Sequence, residues 1–183
     1  MIRNDRVTIR PATLADRRAV YEWMAHSDVS ASMMGPPRFP DAPIPTWEQF
    51  CADYVPYYFE GTNERFGRSF LIEAAGKDVG HISYSRVESA PDCIELDIWM
   101  RSHADCGRGV SSTAIDLLCE RLHADLGATR FIMRPSARNI RAIHAYRKAG
   151  FEPWPMMPRE HESAFGPGDY HDTIMLRRVL PAP

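Results

Sequence analysis

A chain of 183 residues with 44% hydrophobic content is long enough to bury one continuous core, so a single domain over residues 1–183 is expected. Its formal net charge of -2 argues against nonspecific attraction to nucleic acid or anionic membranes, and no apolar run approaches the roughly 18 residues of a membrane span. Met1 to Arg6 lack the apolar stretch of a signal peptide, and Cys51, Cys93, Cys106 and Cys119 form no C-x-x-C pair, so a cytoplasmic protein with free thiols is expected.

Val7 to Arg10 predicts a short strand closed by Pro11, and Thr13-Leu14-Ala15-Asp16 has the spacing of a capping box that would start a helix ending near His26. Val20, Trp23 and Met24 fall at i, i+3 and i+4 as its core-facing stripe. From Ser27 to Pro45 five prolines forbid a regular helix. That loop is either the rim of a substrate site, with Met33 and Met34 as an adaptable apolar wall, or a plain surface excursion. Thr46-Trp47-Glu48-Gln49 repeats the capping-box spacing and opens a second helix, ended by Pro56. The rings of Tyr54, Tyr57, Tyr58 and Phe59 either line a pocket or pack in the core.

Arg68 to Ala74 and Val79 to Val87 read as strands joined by a hairpin turn at Ala75-Gly76-Lys77-Asp78, and Cys93 to Met100 supplies a third strand of an antiparallel meander. A helix from Ser111 to Leu126, capped by Gly127, leads to a strand at Thr129–Arg134. The next helix, Ile140–Ala149, is capped by Gly150. This order predicts a right-handed crossover that makes Cys93–Met100 and Thr129–Arg134 parallel neighbours. Thr173 to Val179 closes the sheet after a loop rich in Pro, Gly and acidic residues, in which His161 and His171 are expected at the surface or at a substrate rim. The fold class is α/β in the α+β sense: a mixed, mostly antiparallel central sheet flanked by helices.

The stretch Cys106-Gly107-Arg108-Gly109-Val110-Ser111-Ser112-Thr113 runs directly into an apolar helical periodicity. The first N–H groups of a helix lack intrahelical acceptors, the macrodipole is positive there, and glycine lets a phosphate approach the backbone. The stretch is therefore either an anion cradle or an ordinary helix entrance. It follows a loop and lacks a third glycine, so it is not a dinucleotide fingerprint, and no Gly-Lys-Ser/Thr follows to make a P-loop. His103 and Cys106 form a thiol–imidazole pair and, with Asp105, a partial metal set, but further ligands at usable spacing are lacking and no metal is required.

Asn139-Ile140-Arg141-Ala142-Ile143-His144-Ala145-Tyr146-Arg147-Lys148-Ala149-Gly150-Phe151 resembles the N-x-x-A-x-x-x-Y-x-K-x-G-F signature of the GCN5-related N-acetyltransferases, the GNAT superfamily. Cys106 to Ser111 is similar to that superfamily's R/Q-x-x-G-x-G/A cradle, and the order of elements matches over roughly residues 7 to 179. Within the superfamily the chain is most similar to aminoglycoside 6'-N-acetyltransferases, in which an aspartate stands ten positions before the first cradle glycine, as Asp97 stands before Gly107. Two departures bear on cofactor affinity: Cys106 replaces the usual Arg or Gln, and Ser111 the usual Gly or Ala.

The resemblance implies transfer of acetyl from acetyl-CoA, bound in a cleft beside the parallel strand pair, directly to a primary amine. It implies cofactor contacts from Ile98, Trp99, Met100, Gly107, Arg108, Gly109, Val110, Ser111, Ser112, Asn139, Ala142 and Tyr146, with Tyr146 as proton donor to the CoA sulfur. For the base, Glu95 and Asp97 alternate on one strand and so share a face, with Leu96 and Ile98 on the other. That face is either a solvated outer surface or a cleft that attracts an ammonium. The expected partner is a small-molecule amine; alternatives are a protein N-terminus or lysine, or a noncatalytic acyl-CoA-binding module. Apolar and aromatic positions in excess of one core are compatible with a homodimer.

Overall fold

The computed structural model describes residues 7–30, 44–87, 90, 93–165 and 172–182. Most of the proline-rich loop, including Met33 and Met34, lies outside the described residues, as does His171. The elements are β1 (Thr8–Pro11), α1 (Arg17–His26), α2 (Trp47–Asp53), α3 (Tyr57–Glu60), β2 (Gly67–Ala74), β3 (Lys77–Arg86), β4 (Cys93–Met100), a 3-10 turn (His103–Asp105), α4 (Val110–Leu126), β5 (Arg130–Met133), α5 (Ile140–Lys148), β6 (Glu152–Pro153), α6 (Pro158–Phe165) and β7 (Leu176–Val179).

Seven strands form one sheet in the order β1-β2-β3-β4-β5-β7-β6. The meander is antiparallel, as its short connections require: β2 and β3 meet at a two-residue turn in which Ala75 (φ 50°) and Gly76 (φ 72°) are both left-handed. β4 and β5, linked across α4, run parallel. Their pairing lasts only from Cys93↔Arg130 to Glu95↔Ile132. β4 continues to Met100 paired with β3 alone, while β5 ends at Met133, just before Pro135 removes a backbone donor. The two strands therefore part at their C-terminal ends, and a cleft opens between them.

Alternation along β4 sorts its side chains to two cores. Ile94, Leu96, Ile98 and Met100 enter the larger one beneath α4 and α5, with Ile115, Leu118 and Leu122 of α4 fully or nearly fully buried against them. Burial on this scale contributes about 1.5–3 kcal/mol per large apolar side chain. Trp99 enters a second core on the opposite face with Phe50, Phe59 and Leu71. On α1 the buried stripe is Val20, Tyr21 and Ala25, while Trp23 and Met24 are half-buried against it, so the apolar face is rotated by about one residue from its expected position.

The two capping-box spacings end differently. Thr46 and Gln49 form the full reciprocal cap of α2. Asp16 instead accepts from the Thr13 N–H and hydroxyl and from Arg10, so Thr13–Asp16 is a turn and α1 starts only at Arg17. That ion pair, shared with Asp78, holds the Asp16 carboxyl below its usual range. Three short elements carry too few residues for a periodicity: α3, which Pro56 starts although it was expected only to end α2, β6, and α6 within the late loop. His161 lies on α6 and is buried, lining neither of the two cavities at the parted strands, rather than standing at the surface or at a substrate rim.

Candidate active site

Two cavities open where the strands part, one of about 470 Å³ and one of about 410 Å³, and Tyr146 lines both. The larger is walled by the turn before α4, the first turns of α5 and the end of β4.

Gly107 (φ 83°), Arg108 (φ 53°) and Gly109 (φ 79°) are three consecutive left-handed residues leading into α4. Such a turn is available to glycine without strain and places Gly109 as an N-cap with no side chain to satisfy the helix. Ser112 turns its hydroxyl back to the Gly109 carbonyl, and the first turn holds no acidic residue. The amides of Ser111 and Ser112 thus face the cavity at the positive end of a 17-residue helix, beside Arg108. A diphosphate fits this arrangement. Val110 anchors the turn by burial in the larger core.

The end of β4 offers backbone, because its side chains are spent elsewhere: Ile98 and Met100 in one core, Trp99 in the other. The Arg101 N–H bonds to Val79 O on β3. By alternation the N–H groups of Ile98 and Met100 point the opposite way, into the cleft. No register shift interrupts β4 against β3 here, so it is the parting of β4 from β5, rather than a bulge, that turns these amides to the cavity. On the facing wall Asn139 caps α5, its side-chain oxygen accepting from Ala142 N at 3.1 Å, so its amide nitrogen remains the group it can offer.

Cys106 and His103 line the same cavity without forming a nucleophile. The thiol donates to Ser102 O, burial pushes it up from its ordinary value, and His103 Nδ1 meets Arg141 at 3.0 Å. Asp105 is held by Arg101 and Ser102.

The smaller cavity is polar and acidic. Glu95 and Asp97 both face it, as alternation predicts, but in different states. Glu95 is gripped by Arg134 through two bonds, 2.6 Å and 2.9 Å, in a half-buried bidentate pair. Asp97 has no such partner. Asp97 is exposed within the cavity, whose walls replace only part of its bulk hydration. That desolvation raises its pKa, and Glu95 adds to the rise; Tyr54, the Ile98 N–H and Arg134 oppose it. Tyr54 donates to Asp97 Oδ2 at 2.8 Å.

The aromatic cluster therefore divides. Tyr54 and Tyr58 line the cavity with Asp53, while Phe59 is core. Tyr146 is 8% exposed and lies between the cavities. Burial first, and the charge of Asp97 second, raise its hydroxyl well above the usual phenol range, so it is protonated across the physiological range. Tyr54, Arg134 and Asp53 were not singled out as site residues in the sequence. The aromatic cluster was a partial signal for Tyr54; nothing local marks the other two.

Comparison with known proteins agrees with this architecture. The structure superposes on an aminoglycoside acetyltransferase AAC(6')-Ib in complex with coenzyme A with a TM-score of 0.70 at 19% identity, covering 95% of each chain. It superposes on a spermidine N-acetyltransferase from Vibrio cholerae in complex with CoA and spermine with a TM-score of 0.69 at 18% identity, covering 96% of each. In sequence it is 28% identical over 155 residues to an aminoglycoside N(6')-acetyltransferase type 1 of Klebsiella pneumoniae, covering 81% of this chain and 75% of that protein. Residues 6–152 match the model of the acetyltransferase (GNAT) domain, and the chain belongs to that family of acyltransferases, which use acetyl-CoA as donor.

Proposed function

We propose that this enzyme transfers acetyl directly from acetyl-CoA to a primary amine of a small cationic, hydroxyl-bearing molecule of the aminoglycoside type, within one domain, with Asp97 as base and Tyr146 as proton donor. The observation that carries the reading is the junction: one buried tyrosine faces both a backbone anion cradle and an acidic cavity.

Bound acetyl-CoA supplies an electrophilic thioester carbonyl and a thiolate leaving group. Gly107 to Ser112 would hold its diphosphate, Asn139 and Ala142 its pantetheine arm, and the Ile98 and Met100 amides would polarise the thioester oxygen. On the acceptor side, Asp97 attracts the ammonium and takes its proton. Glu95 supplies negative charge near that site but is committed to Arg134, which leaves Asp97 as the base. The hydroxyls of Tyr58, Ser83 and Ser85 suit a polyhydroxylated acceptor.

Base and acid are coupled. Part of the rise in the Tyr146 pKa comes from the negative charge of Asp97. When Asp97 takes up the amine proton that charge is lost, and Tyr146 becomes a better donor as thiolate develops.

The names of the relatives support the choice of acceptors to test: an aminoglycoside enzyme at 28% identity and a spermidine enzyme of the same fold. The test is thiol release from acetyl-CoA against aminoglycosides, polyamines, amino acids and N-terminal peptides. Turnover concentrated on aminoglycosides and abolished by Asp97→Asn is the expected result. Turnover of peptides alone would overturn the acceptor assignment.

A further inference from the structure

Tyr54 follows directly on α2 as its C-cap, and its place is fixed three times over before its hydroxyl is considered. The ring stacks on Phe50 at 5.0 Å and meets Trp99 and His81 edge-on at 5.7 and 5.8 Å. Its carbonyl accepts from the Arg17 guanidinium, which also binds Cys51 O and so ties the end of α2 to α1. A ring held in this way cannot swing its hydroxyl out to solvent. That hydroxyl ends 2.8 Å from Asp97 Oδ2. On the sheet beneath, Ser83 of β3 stands directly across from Asp97 and also reaches the Tyr54 hydroxyl.

We propose that Tyr54 is a positioning residue for the acetyl transfer: its hydroxyl occupies one oxygen of Asp97 and turns the other toward the acceptor amine. The inference rests on Asp97 being the base, and it adds a residue that touches neither cofactor nor reacting atoms. A carboxylate on a strand rotates about two torsions, and a charge-assisted hydrogen bond from a rigid donor fixes both. The same bond stabilises the ionised form. Tyr54 thereby opposes the desolvation that raises the Asp97 carboxyl above its ordinary value.

Asp97 has several charged or titratable neighbours, and each must be separated from Tyr54. Glu95 lies two residues away on β4, Arg134 follows β5, Tyr146 faces it from α5, and Asp53 and Tyr58 line the same cavity. His81 of β3 is buried and held neutral by desolvation, so it contributes no charge. Of these, Tyr54 alone is hydrogen-bonded to the Asp97 carboxylate among the described side chains.

The experiment is a carbon-13 titration of the Asp97 carboxyl in wild type and Tyr54→Phe, its signal assigned by its loss in Asp97→Asn, with the pH profile of kcat/KM recorded beside it. The midpoint is expected to rise by about one unit in Tyr54→Phe, with about a tenfold loss of kcat/KM on the acid limb and recovery at high pH. Acetyl-CoA binding is expected to be unchanged, because Tyr54 does not line the donor cleft. An unmoved midpoint overturns the proposal whatever the activity does. A midpoint that moves while the kinetic limb stays still would leave the hydrogen bond standing and sink the assignment of Asp97 as base. Should Tyr54→Phe fail to fold, 3-fluorotyrosine at position 54 keeps the shape and strengthens the donor. It is then expected to lower the midpoint, and no change would again overturn the role.

Discussion

The two cavities are built from different materials. The proposed donor cleft relies mainly on backbone: glycines at positive φ, the open amides of α4 and the cleft-facing N–H groups of β4, with Arg108 and Asn139 beside them. The proposed acceptor cavity is lined by side chains from α2 and its C-cap, α3, β3, β4, the end of β5 and the segment after it, and α5. In the proposed function the backbone donors would bind the cofactor that the family shares and so tolerate substitution of the side chains around them, whereas the side-chain charges would select the acceptor. Tyr146 is where the two halves meet.

That division is broken most severely at Asp97. Asp97→Asn keeps shape and removes the proposed base, so kcat is expected to fall by about 10²–10⁴ in the thiol-release assay while acetyl-CoA affinity holds. Tyr146→Phe removes the shared hydroxyl and is expected to lower kcat by roughly 10², again with donor affinity retained, as rapid-quench and calorimetric measurements would establish. Gly109→Ala probes the other half. A Cβ there meets nothing closer than Ser112 Oγ at 3.7 Å, so the cost is the left-handed backbone, about 1–2 kcal/mol. If the strain distorts the cradle, the acetyl-CoA Kd rises about tenfold at constant acceptor KM.

The last effect lies behind the acceptor wall and falls on stability rather than on turnover. Burial pushes His81 down to about 3 from 6.5, so below pH 6.5 the unfolded chain binds a proton that the folded one does not. The stability that His81 contributes is complete above pH 6.5 and is lost as pH falls from there toward about 3, at up to about 1.4 kcal/mol per pH unit. Urea unfolding of His81→Phe and wild type across pH 4–8 should show the difference. Parallel curves would contradict it.

The same contrast decides how much could be read from the residues in order. The cavity at the start of α4 and α5 was legible because its lining is local: Gly107 to Ser112 are contiguous, and Asn139 to Tyr146 share one helix with its cap. The sheet was legible where connections are short or capped, as at Gly76 and Gly127. Glu95 and Asp97 were correctly placed on one face by alternation, but their difference depends on Arg134, thirty-nine residues from Glu95 and brought near only by the β4–β5 pairing. Tyr54 reaches Asp97 across forty-three residues for the same kind of reason. The shifted face of α1 has a local cause instead, since Arg10 and Thr13 draw Asp16 into a turn and delay the helix.

Calorimetric titration of acetyl-CoA into Asp97→Asn, with Gly109→Ala alongside, tests this division of labour most directly. Wild-type affinity is expected in Asp97→Asn despite its slowed turnover, and weakened affinity in Gly109→Ala. Loss of acetyl-CoA binding in Asp97→Asn would contradict it, because the carboxylate would then belong to the donor site.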